Sequence, residues 1–327
     1  MLKRNRPNWL PAAITLGVLA IFAGYLAANL ERYRAIFNLS GATLAAMVGL
    51  ILAFIASNGL INTWLYRSLA APVGYREGLG LGLVNTLANQ LPFAGGLLVK
   101  SVYLKRRYRL AYRDFLSATL ALYVCFVAAN GGLGLLVLAY LALASGRGGH
   151  PLLWAGFTAM LLSISVLWIP LARLNFLPHA IQQRLPQLMA GWWALSKNLA
   201  LTSALVAIQI LSAALMAGRF WLAFRALSQE VTLAQCLLFS AATVLTQLVS
   251  IAPGGLGVRE GLVAGMAVLL GFDPGVSAVA AGLDRLISTA VILLLGGLAT
   301  YQLSKNVQGK SLTAEAHEPC DAEDELV

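Results

Sequence analysis

The sequence predicts an all-α polytopic membrane protein with about six transmembrane helices and two broken, re-entrant hairpins. Three observations carry that reading. Hydrophobic residues make up 59% of the 327 and charged residues only 11%, against about 25% charged in a soluble domain. The mean hydropathy of +0.77 leaves too little polar surface to cover a water-soluble globule. The apolar residues also come in blocks of the roughly 20 residues that a bilayer-spanning helix needs, rather than in alternation.

The elements follow in order. Lys3, Arg4 and Arg6 precede an apolar run at 9–29. That run is longer than the core of about 7–15 residues of a signal peptide, so it reads as a retained first helix with a cytoplasmic N-terminus. Arg32 and Arg34 then fall outside, a second helix covers about 44–65, and Arg67 and Arg76 mark the return to the cytoplasm. Residues 78–98 are apolar, but Asn85, Asn89 and Gln90 interrupt them, and Pro92 with Gly95-Gly96 breaks them. The arm before the break would span only about 21 Å as a helix, short of the roughly 30 Å hydrocarbon core. A dense basic stretch from Lys100 to Arg113 follows. Positive flanks on both sides place both ends in the cytoplasm, so this segment enters and turns back.

Residues 114–145 cross outward, with Asn130-Gly131-Gly132 as a kink or packing point, and 152–172 return. Residues 177–195 carry Pro178, Pro186 and Trp192-Trp193, the mixture of an interfacial helix anchored by indoles. A helix at 199–224 crosses again. The apolar stretch 233–251 then runs into Pro253-Gly254-Gly255-Leu256-Gly257, followed by Val258-Arg259-Glu260, a short arm at 261–271 and a last crossing from Asp273-Pro274 to about Tyr301. Gly95-Gly96-Leu97-Leu98-Val99-Lys100 lies on Gly254-Gly255-Leu256-Gly257-Val258-Arg259 without gaps, one break opening from the cytoplasm and the other from outside. Opposed copies of a broken element are the mark of an inverted repeat around a midplane site. The expected organisation is a membrane domain at 1–303, with repeats at about 44–145 and 199–303, and an acidic, disordered cytoplasmic tail at 304–327.

Charge and composition exclude several functions. The chain carries +10 overall, while the tail sets two lysines against six acids, so the excess lies in the membrane part. Clustered in short loops, those cations follow the cytoplasmic-loop rule rather than a nucleic-acid footprint. Cys125, Cys236 and Cys320 have no metal or disulfide spacing. No nucleophile–base pair, phosphate-binding loop or metalloprotease string occurs. No enzyme, metal site or cofactor is expected.

The string Asn89-Gln90-Leu91-Pro92, with Gly95-Gly96 and Lys100, then Pro253-Gly254-Gly255-Leu256-Gly257-Val258-Arg259-Glu260, then Asp284-Arg285, resembles the lysylphosphatidylglycerol synthase transmembrane, or flippase-like, family over nearly all of 1–303. The resemblance implies a bacterial inner-membrane protein that moves lipids or lipid-linked precursors between leaflets. Where the family's first-half motif reads Gly-Glu-x-x-Arg, this chain has Gly96-Leu97-Leu98-Val99-Lys100, without the acid. The aminoacyl-transferring domain of the synthases is not expected after residue 303, so the resemblance implies transport and not lipid aminoacylation.

The candidate substrate-binding residues are Asn89, Gln90, Gly95, Gly96, Lys100, Gly254, Gly255, Gly257, Arg259, Glu260, Asp284 and Arg285. A Gly-rich break exposes backbone N–H groups, and the helix leaving it directs its positive end at the membrane interior. Lys100 and Arg259 in the first turn or so of that arm oppose the helix dipole unless an anion is near, and a lipid phosphate is one such anion. The competing reading pairs Arg259 with Asp284, and Arg285 with Glu260, as a structural network, with Lys100 snorkelling to the interface. The partner implied is an anionic lipid headgroup or lipid-linked phosphate. The alternatives are a secondary transporter of a small anion, and a non-catalytic subunit that joins protein partners in an envelope-biosynthesis complex.

Overall fold

The computed structural model describes residues 39–89, 95–146, 149–168, 193, 197–247 and 257–315. The expected first crossing at 9–29, Gln90, Gly254, Gly255 and nearly all of the interfacial segment at 177–195 lie outside them. Among the described residues there are nine α-helices and no strand: α1 Gly41–Ser68, α2 Tyr75–Ala88, α3 Gly95–Tyr108, α4 Tyr112–Ser145, α5 Pro151–Leu162, α6 Leu199–Ala226, α7 Leu233–Thr243, α8 Val258–Leu270 and α9 Pro274–Glu315. Short 3-10 segments extend α5 to Trp168 and α7 to Gln247. Four of the helices, α1, α4, α6 and α9, are long and apolar enough to cross a membrane. The chain is an all-α polytopic membrane protein.

The ends follow local chemistry. Ser40, Asn198 and Thr232 cap α1, α6 and α7 by accepting from Thr43, Leu201 and Gln235 backbone N–H groups, the side-chain solution to the unpaired donors of a first turn. α9 continues to Glu315, so the first dozen residues of the segment expected to be a disordered tail are helical. No proline interrupts 304–315, and nothing there stops the helix that the apolar part has nucleated.

Two close crossings hold the bundle. A Cβ on Gly78 would overlap Thr63 Oγ1 and lie 2.8 Å from the Gly59 carbonyl, so α2 lies directly on α1. A Cβ on Gly131 would overlap the Leu161 backbone nitrogen, which confirms the Asn130-Gly131-Gly132 stretch as a packing point, here against α5. Small residues of this kind let membrane helices approach at backbone distance.

The order long, short, short, long occurs twice. α1 and α6 each have 28 residues, and each is followed by a six-residue connector to a short apolar arm. The turns match atom for atom. Leu69, Ala70, Ala71 and Val73 donate to Tyr66, Arg67, Tyr66 and Ala71 carbonyls, and Leu227, Ser228, Gln229 and Val231 donate to Phe224, Arg225, Phe224 and Gln229. Ala70 and Ser228 take the same left-handed conformation, φ 59° and 56°. The short arms also pack equivalently: α2 lies against α1 and α9, α7 against α6 and α4, so each arm touches the closing helix of the other half.

Candidate anion-binding cavity

Between the two halves lies a cavity of about 350 Å³, lined by every described helix except α5. Four cations reach it: Lys100 from α3, Arg219 from α6, Arg259 from α8 and Arg285 from α9. Asn, Ser and Thr side chains supply most of the remaining polar wall. Its placement is a direct product of the short arms, because α3 and α8 both begin inside the bundle and carry their basic residues near their starts.

The second half carries the denser network. Asp284 is fully buried on α9. Arg219 forks onto it, Nε donating to Oδ1 at 2.7 Å and Nη2 to Oδ2 at 2.9 Å, and Nη2 also donates to Ser288 Oγ. Arg259 Nη2 donates to the same Oδ2. One carboxylate therefore serves two arginines. Arg259 in addition stacks over the Phe220 ring at 5.0 Å, a favourable cation–π arrangement, and its buried Nε has no partner among the described residues. The neighbouring Arg285 Nη1 donates to both oxygens of Glu260, at 2.7 and 2.9 Å. Glu260 Oε2 also accepts the N–H of Gly257 at 3.0 Å, which caps α8. Gly257 has φ 80°, a backbone that only glycine adopts without cost.

The first half is built differently. Lys100 Nζ donates to Asn62 Oδ1 at 3.0 Å, a neutral partner. Asn62 is itself fixed by donating to the Asn58 and Gly78 carbonyls at 3.0 and 3.2 Å. Asn89 accepts the Gly96 N–H at 3.0 Å, so it organises the start of α3. Gly95 and Gly96 are required there because a Cβ would strike the Ala88 and Asn85 carbonyls. Lys100 sits six residues into α3 and Arg259 two into α8. Lys100 is thus a turn deeper than the gapless superposition of the two breaks implies.

Over residues 8–296 the chain matches the family described as lysylphosphatidylglycerol synthase TM region. The chain belongs to this family. Membership makes it a membrane lipid-related protein, and the matched region is the transmembrane part of the synthases rather than a catalytic domain. No curated protein and no solved structure matches it.

Of the residues singled out in the sequence, Asn89, Lys100, Arg259 and Arg285 face the cavity. Glu260 and Asp284 hold Arg285 and Arg259 from behind, in the pairings the sequence suggested. Arg219 is a buried cavity-lining cation that sequence reasoning missed. It lies five residues before the predicted end of its helix, where an arginine reads as snorkelling. Its signal was the same one that drew attention to Asp284, a charge inside an apolar block. Glu77 was also missed: it accepts the hydroxyls of Tyr103 and Tyr108, both at 2.5 Å, and ties α2 to α3.

Proposed function

We propose that the protein moves an anionic phospholipid or lipid-linked envelope intermediate between the leaflets of a bacterial inner membrane. The observation that carries this reading is the cavity that both halves share, with four cations against two carboxylates set behind them. Two positive charges remain for a ligand, and such an excess in a low-dielectric setting calls for an anion. The polar headgroup passes through this cavity while the acyl chains stay in lipid. The two short-armed hairpins act as re-entrant, opposed copies in an inverted repeat, with both termini in the cytoplasm. Supporting this, α2 has 14 residues, and α7 with its 3-10 extension runs from Leu233 to Gln247 among the described residues, short of the roughly 20 that a crossing needs.

The test is reconstitution into liposomes with acyl-labelled lipids and chemical quenching of the outer leaflet. Anionic lipids should become accessible faster than in protein-free vesicles. No acceleration with any anionic or polyprenyl-linked lipid overturns the reading. Solute-dependent proton or sodium flux without lipid movement would replace it by small-anion transport.

A further inference from the structure

α3 and α9 leave the bundle side by side. A Cβ on Gly296 would lie 3.2 Å from Leu87, and one on Gly80 would lie 3.5 Å from Leu303, so α9 runs antiparallel to α2. Cβ atoms on Gly95 and Gly96 would strike Ala88 and Asn85, and Glu77 accepts the hydroxyls of Tyr103 and Tyr108, so α3 is antiparallel to α2 as well. α3 and α9 are therefore parallel, they touch, and both carry their C-terminal ends past the start of α2.

The end of α3 is cationic. Lys105, Arg106 and Arg109 are exposed, and Arg113 follows at the start of α4. Between residues 41 and 145 the chain has two acids, Glu77 and Asp114. The two tyrosines occupy Glu77, and Arg113 takes Asp114 at 3.7 Å. Lys105 rests on the Tyr112 ring at 4.3 Å, which supplies no full negative charge.

The end of α9 is the opposite. Past Leu303 the helix continues to Glu315, about 18 Å further at helical rise. The sequence then reads Glu315-Ala316-His317-Glu318-Pro319-Cys320-Asp321-Ala322-Glu323-Asp324-Glu325, six acids with no lysine or arginine. Acids at a helix C-terminus meet its negative pole, so they gain nothing from α9 itself. The ten residues after Glu315, extended, reach up to about 33 Å, enough to return to the level of Arg109.

We infer that the acidic segment 315–325 folds back onto the basic end of α3 and seats its carboxylates against Lys105, Arg106 and Arg109. The contact is internal to the chain and open to salt. It screens a face that otherwise attracts the anionic headgroups of a bilayer surface. It also ties the tail to the helix whose other end carries Lys100 into the cavity. None of this depends on whether the protein moves lipid.

Cys320 is a native reporter for the test. In the full chain with Cys125→Ala and Cys236→Ala, oxidative cross-linking of Cys320 is measured to Ala111→Cys, an exposed neutral position beside the basic end of α3. His150→Cys, beyond the far end of α4, is the control. In neutral detergent at low salt the Ala111 pair should form within single chains, at least about tenfold faster than the control. At about 1 M salt, where the screening length is about 3 Å, most of that advantage should vanish. Lys105→Gln, Arg106→Gln and Arg109→Gln together should remove it too. Changing these three to Glu, with Glu318, Glu323 and Glu325 to Lys, should restore it. Equal rates at the two positions, an advantage that neither salt nor neutralisation lowers, or cross-links formed only between two differently tagged copies overturn the inference. In phosphatidylglycerol liposomes the advantage should persist. Its loss there gives the face to anionic lipid and overturns the tail as its occupant.

Discussion

Arg219 and Asp284, 65 residues apart in sequence, meet in a two-bond fork that joins α6 to α9 at the floor of the cavity. The planar guanidinium matches the carboxylate, and both groups are buried, so the pair is strongly oriented. Arg259 shares the same carboxylate from α8. Three helices of the second half therefore converge on one negative charge, and the two arginines play unequal parts. Arg219 uses Nε and Nη2 on Asp284 and Ser288, whereas Arg259 makes one bond to Asp284 and keeps a buried Nε without a partner among the described residues.

That inequality orders the stabilities of the variants. Asp284→Asn leaves two buried guanidiniums without a counter-charge and should cost at least about 3–5 kcal/mol, the range seen when one partner of a buried pair is removed. Membrane abundance and thermal stability in detergent should both collapse. Replacing the triad as a unit, Arg219→Met and Arg259→Leu with Asp284→Leu, should recover abundance, since apolar residues of similar volume substitute for buried ion pairs and triads. An Asp284→Asn protein as stable as its parent would show that the fork contributes nothing.

Arg259→Gln separates stability from transport. Asp284 keeps its fork to Arg219 in this variant, so abundance and thermal midpoint should change by less than about 1 kcal/mol, as for a half-satisfied partner at a cavity wall. Transport should be lost. Arg259→Lys should restore part of it, because the charge survives and the planar set of donors does not. Full activity in Arg259→Gln would remove this residue from the headgroup site.

The glycines give a packing prediction. Gly131→Ala forces a methyl into the Leu161 backbone, and overpacking of this kind costs about 1–3 kcal/mol. Gly49→Ala on α1 meets nothing within 4 Å and should be neutral or stabilising by up to about 1 kcal/mol. Thermal midpoints of the two purified variants decide it, and a reversed order would mean that α4 and α5 are not packed as described.

Much of this was legible in the sequence because membrane burial writes itself in block length and charge. The long helices α1, α4, α6 and α9 follow directly from apolar runs, and the short arms from Pro and Gly breaks. The pairings of Arg259 and Arg285 followed from the cost of unpaired charge. Arg219 was not legible in this way because its position near a helix end admits a bland solvated reading, and only tertiary structure shows α9 covering it. A second likeness between the halves was not visible in the sequence. Attention to glycines aligned the two breaks, while the better-matched register lies in Tyr66-Arg67-Ser68-Leu69 and Phe224-Arg225-Ala226-Leu227, whose turn hydrogen bonds coincide. Side chains there differ at half the positions, and backbone geometry carries the likeness.

The repeat leads to the prediction on which the membrane arrangement depends. If α2 and α3 form a re-entrant hairpin, the two ends of that hairpin share one side of the bilayer. Arg76, at the start of α2, and Arg106, near the end of α3, are both exposed and suit single-cysteine substitution once Cys125, Cys236 and Cys320 are replaced. In sealed right-side-out vesicles an impermeant maleimide should reach neither Arg76→Cys nor Arg106→Cys, and both should label after permeabilisation. A cysteine at His150, exposed at the N-terminus of α5, should label without permeabilisation, because α4 with its 34 residues crosses between them. Labelling of 76 and 106 from opposite faces would make the first hairpin a full crossing. The basic stretch from Lys100 to Arg113 would then lie outside against the charge rule, and the proposed inverted repeat would fall.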